Sequence, residues 1–542
     1  MDIPESLLAR LKRDIVNRCI DSGIACLEEH ESLLTNLDPR QPNAAPLVGY
    51  LAQWVDIGFD RPARIRELLL RFTAVLRADL SLSSYIYLRM AEGMLAMAEE
   101  ASSEALSHFD VVLALGQDLH DRETLAVASF WKARCLRKKG EYNDAFDYTF
   151  NARKLALELG HPKMAAVMSV LESWLLFQKG KSKSAERILR EAEEELCDTD
   201  DYITLANIYS SYGRMARREG RYDNAIDHFT RAIAECRKRG AQHPHLARSL
   251  ANMALVKRLA SLHLVKKIDA RVERQRKSGT RTTKRSSLDH RSTLENLRQE
   301  AIAHLNEAAA IYEHHGSHHG AGTVRLIYGY LHLDDGDFDH AEREAEKGFQ
   351  LAQDKNDHII MSRIRLLQCM IHNSKLEEEI GEQSDQEAHA RAAIKFANEA
   401  IEFAKQTQDR RLLANAYVWE GLSHCNEVLD DPDAARRFYN LALPFVKGDE
   451  AGQLRDDLYT LQARIMRSEK IDGKLRAWSQ GLIGEESFQH ILDEFSELII
   501  LKIWESEGCK ISRVATRLSI SPKKVRRILD RVGARGKNRG EV

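Results

Sequence analysis

Lys523, Lys524, Arg526, Arg527 and Arg531 occupy the outward positions of a short amphipathic segment near the end of this 542-residue chain. Their side chains have the length to reach phosphate oxygens and guanine edges in the major groove of a duplex. Ser521-Pro522 marks where that segment begins, since a serine hydroxyl accepts a backbone N–H and proline at the first helical position gives up no hydrogen bond. Apolar or small residues at Ile511, Val514, Ala515, Leu518, Ile520, Val525, Ile528 and Leu529 fit one short helix, a tight turn and a second helix over a shared core. Ala515 falls where the two helices cross, and a larger side chain there would push the second helix out of its docking angle. Ser519 stands in the turn, so a residue with a Cβ must take or avoid a left-handed conformation there.

From Leu498 to Gly533 the chain resembles the Fis-type helix-turn-helix, which often forms the C-terminal module of bacterial transcription regulators. The likeness is carried by the leading helix Leu498 to Glu507, Gly508, Ser512-Arg513-Val514-Ala515, Leu518, Ile520-Ser521, Val525 and Val532-Gly533. Between Gly508 and Ala515 the chain is one residue longer than that type. The resemblance implies double-stranded DNA as a partner, with Arg513, Ser521, Lys523, Lys524, Arg526, Arg527 and Arg531 as the contact residues. Charge agrees. From Glu497 to Val542 there are twelve Lys or Arg against five Asp or Glu, while the whole chain is formally −2, so the preceding residues carry about −9. An acidic body with a basic tip repels DNA everywhere except at the tip.

The elements that present this tip belong to a repeat array. Gly220-Arg221-Tyr222-Asp223-Asn224-Ala225, with Ala232 seven residues on, recurs as Gly140 to Ala145 with Ala152, as Gly180 to Ala185 with Ala192, and as Gly336 to Ala341 with Gly348. Ala105, Ala301, Ala393 and Ala435 are further anchors, so the period lies near 40 residues and is interrupted by two insertions. Small residues at such spacing let the helices of a hairpin, and neighbouring hairpins, pack closely. Gly213 and Gly329 share one register position in the first helices, and Gly421 falls there if a two-residue turn insertion is allowed. The phrase resembles the tetratricopeptide repeat, a helical hairpin stacked into a superhelix. This implies a groove for a protein, peptide or small effector, and the register places Asn207, Arg214 and Asn415 on its concave side.

Lys266 to Ser292 is the larger insertion. It is rich in Lys, Arg, Ser and Thr with almost no apolar residues, so it is expected to be a mobile loop between the two helices of one repeat, either a solvated excursion or a second contact to DNA. His314, His315, His318 and His319 offer i, i+4 pairs of the kind that bind a divalent metal, but Gly316 and Gly320 argue against a helix there. Eight cysteines without a Cys-x-x-Cys pair read as reduced, mostly buried residues. Phosphate-loop, dinucleotide and zinc-protease motifs are absent, and Asp334-Asp335 and Asp430-Asp431 fall at turns. No stretch matches the roughly 18 apolar residues of a membrane helix, and the N-terminus lacks a secretory signal, so the expected location is cytoplasmic.

The expected fold is all-α: an N-terminal helical segment (1–62), a tetratricopeptide-like α-solenoid (63–447) carrying the basic loop 266–292, a helical linker (448–492) and a small C-terminal helix-turn-helix domain (493–542). The expected protein is a non-enzymatic transcription regulator without cofactor or metal, acting as a homodimer because one such head binds weakly alone. The alternative is a scaffold or adaptor whose terminal helices only cap the stack or dock on another protein.

Overall fold

Alanines at the crossing points decide how closely these helices approach, and the computed structural model places them accordingly. It describes residues 3–55, 62–278, 284–446, 452–468, 487–507 and 510–531. Two compact units divide the chain, Met1–Ile465 and Met466–Val542. Among the described residues the regular secondary structure is entirely helical.

Eight antiparallel hairpins make up most of the first unit. In order they are Leu82–Ala98 with Ser102–Asp118, Arg122–Lys139 with Tyr142–Glu158, Pro162–Gln178 with Ser182–Leu196, and Tyr202–Arg218 with Tyr222–Arg239. Then follow Pro244–Ser278 with Lys284–His315, His318–Asp334 with Phe338–Asp354, His358–Glu377 with Gln383–Lys405, and Arg410–His424 with Pro432–Ala442. Every anchor lies in a second helix, and Ala105, Ala145, Ala185, Ala225, Ala301, Ala341, Ala393 and Ala435 are all fully buried. The glycine register has the same origin. A Cβ on Gly213 would stand 2.8 Å from the Phe229 ring, one on Gly329 2.4 Å from Leu367, and one on Gly421 2.7 Å from Leu461.

Helices also precede and follow the array. Glu5–Asn17, Ile20–Glu29, Ala44–Val55 and Pro62–Arg71 bury Leu11, Leu27, Trp54 and Ile65 in a core continuous with the first hairpins. Gln453–Ser468, which falls in the expected linker, lays Leu454, Leu458, Leu461 and Ile465 against Val418, Ala435 and Ala442 of the eighth hairpin.

The insertion differs from expectation. Pro244–Ser278 and Lys284–His315 are single helices of 35 and 32 residues, so the described parts of the basic stretch prolong both helices of the fifth hairpin, and 279–283 lie outside the described residues. The polar composition excludes a core, but it does not exclude a helix. Lys, Arg, Glu, Gln and Ala are good helix formers, and no proline or glycine falls between Leu246 and Ser278. At the hairpin's base Arg258 clamps Asp334 at 2.6 and 2.8 Å, and Lys266 reaches Asp456 at 3.0 Å.

Distant repeats of the first unit touch, so the stack coils back on itself. Glu100 accepts from the Ser317 hydroxyl at 2.7 Å and from the backbone N–H groups of His318 and His319 at 3.0 and 3.1 Å. A carboxylate from the first hairpin thereby caps the start of the sixth, where unpaired N–H groups favour negative charge. Asp200 does the same for Ile20 and Asp21 at 2.7 and 2.6 Å. Next to it, buried Arg18 and Asp201 pair at 2.7 Å. The Gly140 carbonyl oxygen accepts from Gln408 N–H at 2.8 Å, and the left-handed φ of 84° at Gly140 ends the helix before it.

Gly213→Val should lower the unfolding free energy of the full-length chain by about 1–3 kcal/mol, because Phe229 is wedged where the new methyl groups must go. Urea titration followed by far-UV circular dichroism measures this; an unchanged midpoint would mean the crossing has slack.

Candidate functional sites

The second unit holds the basic segment. Its described helices are Phe488–Ser506, Ile511–Arg517 and Pro522–Arg531. Ile500, Val514, Ala515, Val525, Ile528 and Leu529 form its core, with Ile503, Trp504, Ile511, Leu518 and Ile520 against it. The turn closes as the residue types require. Ile520 N–H reaches the Ala515 carbonyl at 3.0 Å and Ser519 N–H the Thr516 carbonyl at 3.2 Å, the paired bonds that end a helix through one left-handed residue. That residue is Ser519, with φ 52°, so a side chain with a Cβ does take the strained conformation. Ser521 then caps the next helix, its Oγ accepting Lys524 N–H at 3.2 Å.

With the apolar face sealed inward, Lys523, Lys524, Arg526 and Arg527 are exposed, as are Arg513 and Ser521. Arg531 is also exposed but is engaged: it reaches Glu497 at 3.1 Å and Asp493 at 3.7 Å on the leading helix. It therefore ties the basic helix to the helix behind it. Arg517 is likewise held by Glu507 at 2.5 Å. Gly508 and Val532-Gly533 lie outside the described residues.

In the first unit, two of the three expected groove residues come together. Asn207 and Arg214 line a cavity of about 130 Å³ on the inner side of the stack, whereas Asn415, half-buried in Arg410–His424, does not line it. Asn207 Oδ1 lies 3.0 Å from His245 Nδ1, and Arg214 donates to Ser211 Oγ at 3.0 Å. Sequence reasoning missed Trp131, Arg134, Arg137, Trp174 and Arg248 on the same walls. The period contained a signal for some of them, because Arg134, Trp174 and Arg214 stand 40 residues apart. Arg134 lies over Trp131 at 4.3 Å from the ring centre, and Arg137 over Trp174 at 5.3 Å. Burial, reinforced by Arg248, Arg137 and Arg217, pushes the Arg214 guanidinium far below its ordinary pKa. Arg217 is pushed the same way by burial and by Arg411 and Arg363.

The histidines do not assemble. Gly316, with φ 61°, separates His314 and His315 from His318 and His319, while Gly320 continues the next helix under the Tyr312 ring. His315 Nε2 sits 2.6 Å from the Gln242 carbonyl, and His319 contacts Asp357. Elsewhere Cys26, Glu29 and His30 converge, but Glu29 is paired with Arg10 at 3.1 Å and His30 Nδ1 lies 2.8 Å from the Cys26 carbonyl. Cys26, Cys135, Cys236 and Cys369 are buried, Cys19 and Cys197 exposed, and Cys509 lies outside the described residues. No helix among the described residues is long and apolar enough to cross a membrane.

The first unit is thus an all-helical solenoid of tetratricopeptide type. A sequence profile of the tetratricopeptide repeat matches residues 204–263, the fourth hairpin's first helix through the start of the fifth. No curated protein matches the chain. Among solved structures it is similar to a human IFIT1 dimer with m7Gppp-AAAA, at 14% identity over 87% of this chain and 91% of that one, TM-score 0.46. It is also similar to the apo form of the quorum sensor NprR from B. thuringiensis, at 12% identity over 82% and 98%, TM-score 0.39. A Rap protein complexed with competence and sporulation factor is a third, at 12% over 84% and 100%, TM-score 0.36.

Ser519→Gly should relieve the left-handed strain and slow amide hydrogen exchange across 511–531 in the full-length chain, by a factor corresponding to about 1 kcal/mol. Ser519→Val should accelerate it. Equal exchange in all three proteins would mean the turn is not strained.

Proposed function

We propose that this chain is a non-enzymatic, DNA-binding transcription regulator, with an effector site in its repeat groove and a C-terminal helix-turn-helix that binds an operator. The observation that carries the reading is the disposition of Pro522–Arg531. Its apolar residues are spent on the three-helix core, and four cations face solvent with no acidic partner among the described residues. A helix of this kind is short enough to enter a major groove, with Ser521 and the N-terminal turn closest to the bases and the remaining cations on phosphates.

Two further features support it. The acidic bulk of the chain leaves the basic tip as the favoured approach to a polyanion. In addition, the inner side of the solenoid offers a half-open, mixed apolar and cationic cavity, a usual form of ligand site. Ligand binding there would shift the spacing of two reading heads in a homodimer, which couples effector to operator affinity.

In a gel shift with genomic fragments, the full-length protein should bind selected fragments. Arg526→Ala/Arg527→Ala should weaken binding at least tenfold and reduce the slope of log affinity against log salt by roughly two. No selective binding by the unaltered protein at low salt would overturn the regulator and favour the adaptor.

A further inference from the structure

Arg214 and Arg248 face one cavity without a counter-charge. Among the described residues, no carboxylate pairs with either. Arg214 makes one hydrogen bond, to Ser211, and its Nε has no partner although it is buried; Arg248 makes no side-chain hydrogen bond or ion pair. The acid on the cavity wall is Asp201, and it is already occupied by Arg18 at 2.7 Å and by Thr204 N–H at 3.1 Å. Enclosed cations of one sign repel and are poorly hydrated, so the arrangement is incomplete without an anion.

The apolar part of the lining narrows the class of anion. It consists of Val127, Phe130, Met164, Val167 and Leu171. A volume of about 130 Å³ has room for a side chain with its terminal charge, and the cavity is half open, so a longer ligand can continue along the groove. An extended chain carrying apolar and acidic groups matches both kinds of lining residue. A nucleic acid fits less well, because it binds such grooves by stacking on open aromatic faces, and guanidinium groups of Arg134 and Arg137 already cover Trp131 and Trp174.

We propose that this cavity takes a carboxylate-bearing peptide, its acid held by Arg214 and Arg248 and its neighbouring apolar side chain lying on Val127, Met164 and Val167. The inference rests on the groove being the effector site, and it adds the chemistry that the effector must carry. Guanidinium groups match carboxylates in fork geometry, and such charge-assisted bonds are the strong ones in a desolvated site.

Two fluorescein-labelled random octapeptide pools test it by anisotropy with the full-length protein. One contains Asp and Glu and a free C-terminal carboxylate; the other replaces these by Asn, Gln and a C-terminal amide. The acidic pool should reach half-saturation at least tenfold lower in concentration. Arg214→Gln/Arg248→Gln should erase that preference, whereas Arg187→Gln on the outer surface should leave it. Equal binding of the two pools to the unaltered protein overturns the proposal without reliance on any variant. So does a preference that survives the double substitution in a chain whose circular dichroism is unchanged. Displacement of the acidic pool by oligo(dA)8 or tripolyphosphate at equal or lower concentration overturns it in favour of a phosphate ligand. A chain that prefers the acidic pool but shifts no DNA sinks the regulator and leaves this site standing; the converse sinks this site alone.

Discussion

Close helix packing at small residues is the constraint on which the rest of the molecule depends. Each hairpin is held by an alanine in its second helix that is completely enclosed, and a side chain one methylene longer would force the helices apart. Because the same contact recurs near every 40 residues, each hairpin is rotated on its predecessor by a similar amount. The first helices consequently share one side of the stack, which is why residues from four of them, with Ile15, Arg18 and Gln53 from the segment before the array, meet around a single cavity. Change the crossing distance and the cavity changes with it.

Contacts between distant repeats give the coil its second level of order. Glu100 and Asp200 each cap the N-terminus of a helix well over a hundred residues away. Both use the same physics, a carboxylate placed where backbone donors are otherwise unsatisfied. These polar latches differ from the hairpin packing in kind. They are few, directional and exposed in part to water, so they fix the pitch of the coil without supplying much of its stability.

Charge is distributed with equal economy. The formal excess of acids over bases in the body lies alongside arginines that line one cavity, and five of the cations near the end of the chain share the short helix Pro522–Arg531. Net charge alone hides both features, since opposite signs cancel in the sum of −2. Only position makes them meaningful: Arg531 has the same chemistry as Arg527, yet Glu497 and Asp493 hold it while Arg527 stays open to solvent.

What the sequence by itself determined was everything governed by local pattern. The alanine and glycine anchors revealed the hairpins, Ser521-Pro522 marked the start of the last helix, and Ser519 marked a left-handed turn, because each rests on interactions within a few residues. The same logic failed at 266–292, where polarity was read as disorder although helix propensity, also local, favoured continuation. Tertiary structure alone decided which of the groove candidates meet. Asn207 and Arg214 share a cavity with Arg137 and Arg248, and Asn415 does not, since that depends on the accumulated rotation from hairpin to hairpin. Such rotation is the sum of many small packing displacements, and no single residue encodes it.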